Sequence, residues 1–447
     1  MTDRSSPAAS PRSAAPASGV RAVLANLGWL LASRGVLAVL SLLYLGIATR
    51  TLGLADFGRF ALVTGAAQGL ALLVGFQTWQ VVVRFGIDHR TRGDEAALGR
   101  LYRACMLLDA GSAVVGLGLA AAILAVWSDR LGIRPSLLRD TAIFTAAQLL
   151  SIRSAALGVL RLTDRFRAAA AADSVTPAVR FVGAVAAAFL SPTLHAFLWA
   201  WTAAELATAA MYWITLARSG DLALIRRARV DVAQLRAENP RLPRFVISSN
   251  AVSSLGLATK QLPLMFVGAF GGPAAAGAFR LALQLAQALT KLSQLISRAA
   301  FPEVVRTLRD VAPRELGRAL RRMFGASAGA ALVILLLVAL IGKPVLVAVG
   351  GDAAYAGAYP LLLWLAAAGS IDLAVVGFEP VLLAGDRSAS AMTARAIGVA
   401  AQFVLMLVLL PRIGAAGASI GVFGASLVGA LLLGVMVWRY VRVAGRS

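Results

Sequence analysis

Between Gly277 and Glu303 the chain reads GAFRLALQLAQALTKLSQLISRAAFPE, an apolar run interrupted by Arg280, Gln284, Gln287, Lys291, Gln294 and Arg298. These follow one another by four, three, four, three and four residues, a rhythm that sets all six on one face of an α-helix. Arg280 and Lys291 then stand about 16 Å apart along the axis. Cations with amide groups between them make a surface that lipid cannot satisfy. Such a surface suits a hydrophilic cavity and an anionic ligand such as phosphate. Both cations also lie within two turns of the ends of their apolar run, where snorkelling to the interface is the competing reading.

Other charges interrupt apolar segments in the same way. Arg34, Arg153, Arg180 and Lys260 are basic, and Asp109, Glu205 and Asp372 are the clearest acids. A charge at mid-bilayer costs roughly 2.5–3.5 kcal/mol on insertion scales, so each calls for a partner or a watery cavity. The bases extend the pyrophosphate or cavity set to Arg34, Lys260, Arg280, Gln284, Gln287, Lys291, Arg180 and Arg153. Asp109, Glu205 and Asp372 are candidate sites for a proton or sodium ion that drives transport, or else salt-bridge partners of those bases. Arg153 and Asp372 fall at equivalent positions of the repeat described below, which raises an ion pair between them.

Other chemistries find no support. Cys105 is the one cysteine, and His89 and His195 stand far apart without a nearby His or Cys, so a multi-Cys metal site is excluded. No P-loop or strand-borne GxGxxG is present, and no cofactor is expected. The external loops are short, the longest about Ser128 to Asp140, and hold no clustered catalytic carboxylates.

The elements that must carry these residues are membrane helices. Of the 447 residues 59% are hydrophobic and 14% charged, with mean hydropathy +0.78, against about 45–50% and 25% for soluble domains. About twelve segments have the roughly 20 apolar residues that a crossing needs, from Leu24–Ala48 to Gly414–Val437. The net charge of +22 gathers in alternate loops, above all in 218–244 and 298–322. The positive-inside rule then places both termini in the cytoplasm, and the charge is a topology signal rather than a nucleic-acid footprint.

The second half echoes the first at an offset of 219. GLADFGRF (Gly53 to Phe60) falls on GPAAAGAF (Gly272 to Phe279), Pro192 on Pro411 and Arg103 on Arg322. Six crossings per copy is an even number, so both copies enter the membrane the same way, as parallel repeats do. The expected architecture is all-α and polytopic, with two six-helix bundles around a central cavity. Residues 1–22 form a disordered cytoplasmic tail, 23–217 the N-terminal bundle, 218–244 a basic cytoplasmic linker, 245–438 the C-terminal bundle and 439–447 a cytoplasmic tail.

Three stretches resemble a known family. Arg34 in the first span followed by RTLGLADFGRFALV (Arg50 to Val63), the run from Ala274 to Arg306, and LPRIGAAGASIG (Leu410 to Gly421) are similar to polysaccharide-unit flippases of the multidrug/oligosaccharidyl-lipid/polysaccharide exporter superfamily. The resemblance implies alternating access and ion coupling. It also implies that an undecaprenyl-pyrophosphate-linked oligosaccharide crosses the bacterial inner membrane for surface polysaccharide assembly. Its pyrophosphate would meet cavity arginines and lysines, and a polysaccharide polymerase and chain-length machinery would be partners. A multidrug exporter of the same superfamily is the nearest alternative, but its usual cationic cargo calls for an acidic cavity. A membrane polysaccharide polymerase or ligase is a more distant one.

Overall fold

The computed structural model describes the backbone of residues 17–127, 134–309, 313–384 and 388–444. Within these, side chains are described outside residues 17–35, 251–258, 291–320, 383–389 and 440–444 and a few single positions, Lys260 among them. The first half holds α1 (Ala17–Val74), α2 (Thr78–Thr91), α3 (Glu95–Trp127), α4 (Pro135–Leu150), α5 (Ser154–Leu162), α6 (Phe166–Leu190) and α7 (Leu194–Arg218). Two short helices follow, α8 (Asp221–Arg227) and α9 (Val232–Glu238). The second half holds α10 (Leu242–Lys260), α11 (Leu262–Arg309), α12 (Pro313–Gly350), α13 (Tyr359–Ala374), α14 (Phe378–Ala384), α15 (Ser388–Ile413) and α16 (Ala415–Ala444).

Nine stretches of the described residues are long and apolar enough to cross a membrane. One of them, Val39–Thr91, has 53 residues, roughly 80 Å of helix and therefore more than one crossing. Two breaks explain the merging. α1 leaves helical geometry at Gly53 (φ 70°, ψ 176°) and α11 at Gly272 (φ 75°, ψ −178°), and these positions are 219 residues apart. Both are in the left-handed region that glycine alone enters at little cost. With α7 and α10 also helical, the elements make the expected dozen crossings in two bundles. The repeat thus has a structural counterpart, an elbow between the first two crossings of each copy.

Several spans expected to be continuous are broken. The fourth divides into α4 and α5 at residues 151–153, the seventh at Gln261 and the tenth at residues 375–377. Residues 78–91, expected as a basic loop carrying Arg84 and Arg90, form α2. A hydropathy average registers the apolar length of such segments and is blind to two or three residues of irregular backbone inside it.

The elbows meet. A Cβ on Gly58 would lie 1.7 Å from the Pro273 carbonyl oxygen, and one on Gly277 would lie 2.5 Å from the Leu54 carbonyl oxygen. Leu54 and Pro273 are themselves repeat equivalents, so the contact is reciprocal, backbone against backbone. Around it lies a buried core drawn from both halves, with Tyr44, Phe57 and Phe60 facing Leu264, Phe279 and Leu362. The Thr49 hydroxyl donates to the Val349 carbonyl at 3.0 Å, and Arg50 donates to Ala348. Toward the opposite, basic-loop face the core divides. One cluster there is built on Val82, Leu101, Val159 and Leu216, and another on Leu382, Ala391 and Val437. The halves pack as one body at the elbows, while at the basic face the described residues form separate cores, Phe245 and Val246 of α10 packing on the first.

Residues 218–244 do not hang free between the halves. Arg100 pairs with Glu238, and Arg165 with Asp221 at 2.8 Å. Arg103 donates to the Arg226 carbonyl, and His89 Nε2 meets Asn239 Oδ1 at 3.1 Å. Phe245 stacks on Phe85 at 5.6 Å between centroids, with the Arg84 guanidinium 4.9 Å from its ring. The segment therefore rides on the first half. Replacing Gly58 or Gly277 by Ala should force the elbows apart. The expected loss is about 1–3 kcal/mol, as for other overpacked sites, read as a lower temperature at which the detergent-solubilised protein loses its monodisperse gel-filtration peak.

Candidate functional site: an arginine cluster between broken helices

Arg153 stands in the gap between α4 and α5, at the N-cap of α5 (φ −137°, ψ −8°). The gap frees it from the helix, and its side chain reaches α7, where Nη2 lies 3.1 Å from Glu205 Oε2. Arg180 follows Pro177 inside α6, and its Nη2 lies 2.7 Å from the other Glu205 oxygen. Glu205 is thus shared between two guanidiniums from two different elements. Side-chain exposure is 2% for Glu205, 13% for Arg180 and 34% for Arg153, so the carboxylate is sealed while Arg153 stays partly exposed.

A third guanidinium completes the cluster. Arg280, on the second arm of α11, is half-buried and within electrostatic reach of Arg180 and Tyr44. It has no carboxylate partner among the described residues, so Arg153 and Arg180 share one carboxylate and Arg280 adds a further positive charge within reach of Arg180. Arg153 Nη1, Arg180 Nε and Glu205 Oε2 are buried polar atoms with no hydrogen-bond partner among the described residues, a costly condition in a dry site. The Arg180 guanidinium lies 5.4 Å from the centroid of the Trp201 ring, one turn before Glu205 on α7. Trp201 in turn packs edge-on against Tyr44 (5.3 Å) and Phe60 (5.0 Å) of α1. The charged cluster therefore abuts the apolar core that joins the halves.

Of the rest of the stripe, Gln284 and Gln287 are half-buried on the same arm of α11. The side chains of Arg34, Lys260 and Lys291 lie outside the described residues. The three acids part company. Glu205 takes the salt-bridged alternative. The Arg153–Asp372 pair raised by the repeat does not form, since Arg153 turns to Glu205, while Asp372 on α13 has Ser426 of α16 in its surroundings. Asp372 is exposed, with Arg395 in its electrostatic surroundings; Arg395 itself pairs with Glu379 at 2.7 Å.

Asp109 of α3 is buried and meets no cation. The Thr78 hydroxyl donates to its carboxylate at 2.8–2.9 Å, and the Ala155 N–H donates at 3.0 Å. Those donors open α2 and α5, so one carboxylate joins the N-termini of two half-helices, where negative charge is favoured. Ser154 strengthens the joint, accepting from the Trp79 N–H at 3.2 Å. In hydrocarbon a broken helix needs such substitutes for its lost backbone bonds. No group of three metal-ligating side chains occurs among the described residues, and the cluster's donors are those of an anion site.

Comparison with known proteins then decides the family. A family model described as polysaccharide biosynthesis protein matches residues 23–308. The chain belongs to this family. It is 30% identical over 348 residues to the inner membrane protein YghQ of Escherichia coli (strain K12), covering 76% of this chain and 96% of that one. Its fold is similar to that of an inward-facing multidrug resistance MATE family transporter of the MOP superfamily. There the TM-score is 0.68 at 12% identity, covering 92% of this chain and 99% of that chain. It is also similar to lipid II flippase MurJ in an inward closed conformation, with TM-score 0.66 at 10% identity, covering 93% and 90%. At those identities the likeness is one of fold.

The chain is a multi-pass membrane protein of the polysaccharide biosynthesis protein family, with a fold like that of these transporters. The matched region of this polysaccharide biosynthesis protein takes in Arg153, Arg180, Glu205 and Arg280, whereas Asp372 lies beyond it. Sequence reasoning listed the cluster's members singly and under two headings. Nothing local in the sequence pairs a residue of the fourth crossing with one of the sixth, and the role of Trp201 beside them went unread. For Asp109 the geometry gives a structural expectation. Asp109→Asn should lower thermal stability by about 1–3 kcal/mol, as for a weakened charged hydrogen bond, while folded protein keeps its transport. Full stability with transport lost would instead make Asp109 an ion-coupling group.

Proposed function

We propose that this protein flips an undecaprenyl-pyrophosphate-linked oligosaccharide from the cytoplasmic to the periplasmic leaflet of the bacterial inner membrane. Both termini lie in the cytoplasm, and the basic-loop face, where the core divides, is the cytoplasmic mouth of the cavity. The observation that carries this reading is that Arg153 and Arg180 share one carboxylate, with buried N–H donors left open and Arg280 within electrostatic reach. A diphosphate brings negative charge and acceptors for the N–H groups that Glu205 leaves open. Gln284, Gln287 and Lys291 extend the polar wall along α11, and Arg34 and Lys260 belong to the same set.

The rest of the cycle follows the family resemblance. The bundles 23–217 and 245–438 open alternately, with 218–244 carried by the first. Asp372, exposed and outside any ion pair among the described residues, is the acid assigned to the driving proton or sodium ion. Product units would pass to a polymerase and its chain-length machinery. An exporter of cationic drugs is disfavoured by the cluster's positive charge, since like charges repel in a dry site.

A strain lacking the gene separates the readings. Loss of surface polymer, with lipid-linked repeat units held in the cytoplasmic leaflet, is expected. Normal polymer with new sensitivity to cationic dyes would mean a drug exporter. Complementation with Arg280→Gln/Lys291→Gln should restore the protein to the membrane but not the polymer. Full polymer from that variant would remove both residues from the cargo site.

A further inference from the structure

We infer that Glu205 is a resident counter-anion, holding Arg153 and Arg180 in the empty site and yielding them to the ligand's phosphate. This rests on the proposal that an anionic lipid headgroup binds at the arginine cluster. The geometry points to exchange rather than to a closed structural bridge. In a closed bridge the guanidiniums would spend their donors on the carboxylate or on backbone carbonyls. Here Arg180 and Arg153 each bring one nitrogen to Glu205, and among the described residues a buried N–H group on each arginine and Glu205 Oε2 itself go without a hydrogen bond. The half-made pairing satisfies neither the arginines nor the carboxylate.

The supports of the three side chains differ in a way that fits this role. Glu205 lies mid-way along α7, which runs unbroken from a Thr193 N-cap whose hydroxyl accepts from the Ala196 N–H. Arg153 sits on the irregular backbone of a helix break and Arg180 one turn after a helical proline, where backbone can adjust. The carboxylate is therefore the fixed member and the guanidiniums are the ones that can turn toward a ligand. In the same position Arg180 also lies over the Trp201 ring, so Glu205 is not its sole support.

The consequence concerns release. Three guanidiniums without a counter-anion would hold a diphosphate tightly and give it up slowly. A built-in carboxylate competes for the same donors, weakening capture and speeding departure. Glu205 is thus a positioning residue that tunes turnover through the arginines.

The test uses the full chain in detergent, with farnesyl diphosphate as probe and farnesol as the uncharged control. Glu205→Gln should bind farnesyl diphosphate about ten-fold tighter than wild type, a change of about 1.4 kcal/mol, leave farnesol binding unchanged, and lower surface polymer in cells. Arg180→Gln should weaken diphosphate binding, and the double variant should return to within about two-fold of wild type. A folded Glu205→Gln protein that binds the diphosphate no better than wild type would overturn the proposal and make Glu205 a structural tether. Should that single variant fail to fold, the double variant decides, and binding as weak as Arg180→Gln alone overturns it. If Arg153→Gln, Arg180→Gln and Arg280→Gln all bind the diphosphate as wild type does, the fault lies in the site assignment and not in Glu205.

Discussion

The two halves of this protein touch where neither has a side chain to offer. At Gly58 and Gly277 the backbones come so close that a single methyl group would collide with a carbonyl oxygen, and the rest of the architecture is hung from that meeting. It brings the second arms of α1 and α11 together and sets Phe60 and Phe279 in one buried core. Away from that seam the described residues form two further cores, one built on the first half and one on the second. A seam made of backbone is cheap to bring together in lipid, because small residues allow the close packing that drives helix association there. Few side chains must also be unthreaded to part it.

Placed beside that seam, the arginine cluster inherits its environment. Trp201, Tyr44 and Phe60 belong to the inter-half core, and they close one side of Arg180. On the other side Arg153 stays partly exposed. Charges that lipid would reject are therefore held between an apolar wall and a shared buried carboxylate. Asp109 serves the same end from below. By joining the starts of α2 and α5 it fixes the helix break from which Arg153 projects, so a carboxylate without a cation positions a cation without a full set of partners.

How much of this the sequence disclosed depends on the range of the interaction. Crossing helices declare themselves over some twenty consecutive residues, and the elbows over two glycines at matching offsets, since a positive φ is a local demand. The break at residues 151–153 gave no such sign. Ser-Ile-Arg contains neither glycine nor proline, and the irregular backbone is stabilised by Asp109, more than forty residues earlier in the chain. Glu205 was visible as an acid in an apolar segment, but its partners lie on other crossings. Whether an intramembrane carboxylate meets an ion, a helix end or an arginine is decided by packing, and Asp109 and Glu205 settle it differently despite similar surroundings in sequence.

The repeat makes one last feature intelligible. Arg153 and Asp372 occupy the same place in the two copies, each on a broken crossing and each with a polar neighbour on the sixth crossing of its own copy, Glu205 in one and Ser426 in the other. A symmetric ancestor with like charges at both positions would have carried an uncompensated pair of equal sign near its axis, at a cost that low dielectric magnifies. Opposite charges remove that cost. They also distinguish the bundles, one pairing Arg153 with Glu205 and the other leaving Asp372 exposed. A duplicated bundle that diverged in charge at a single equivalent position gains that asymmetry without altering the fold.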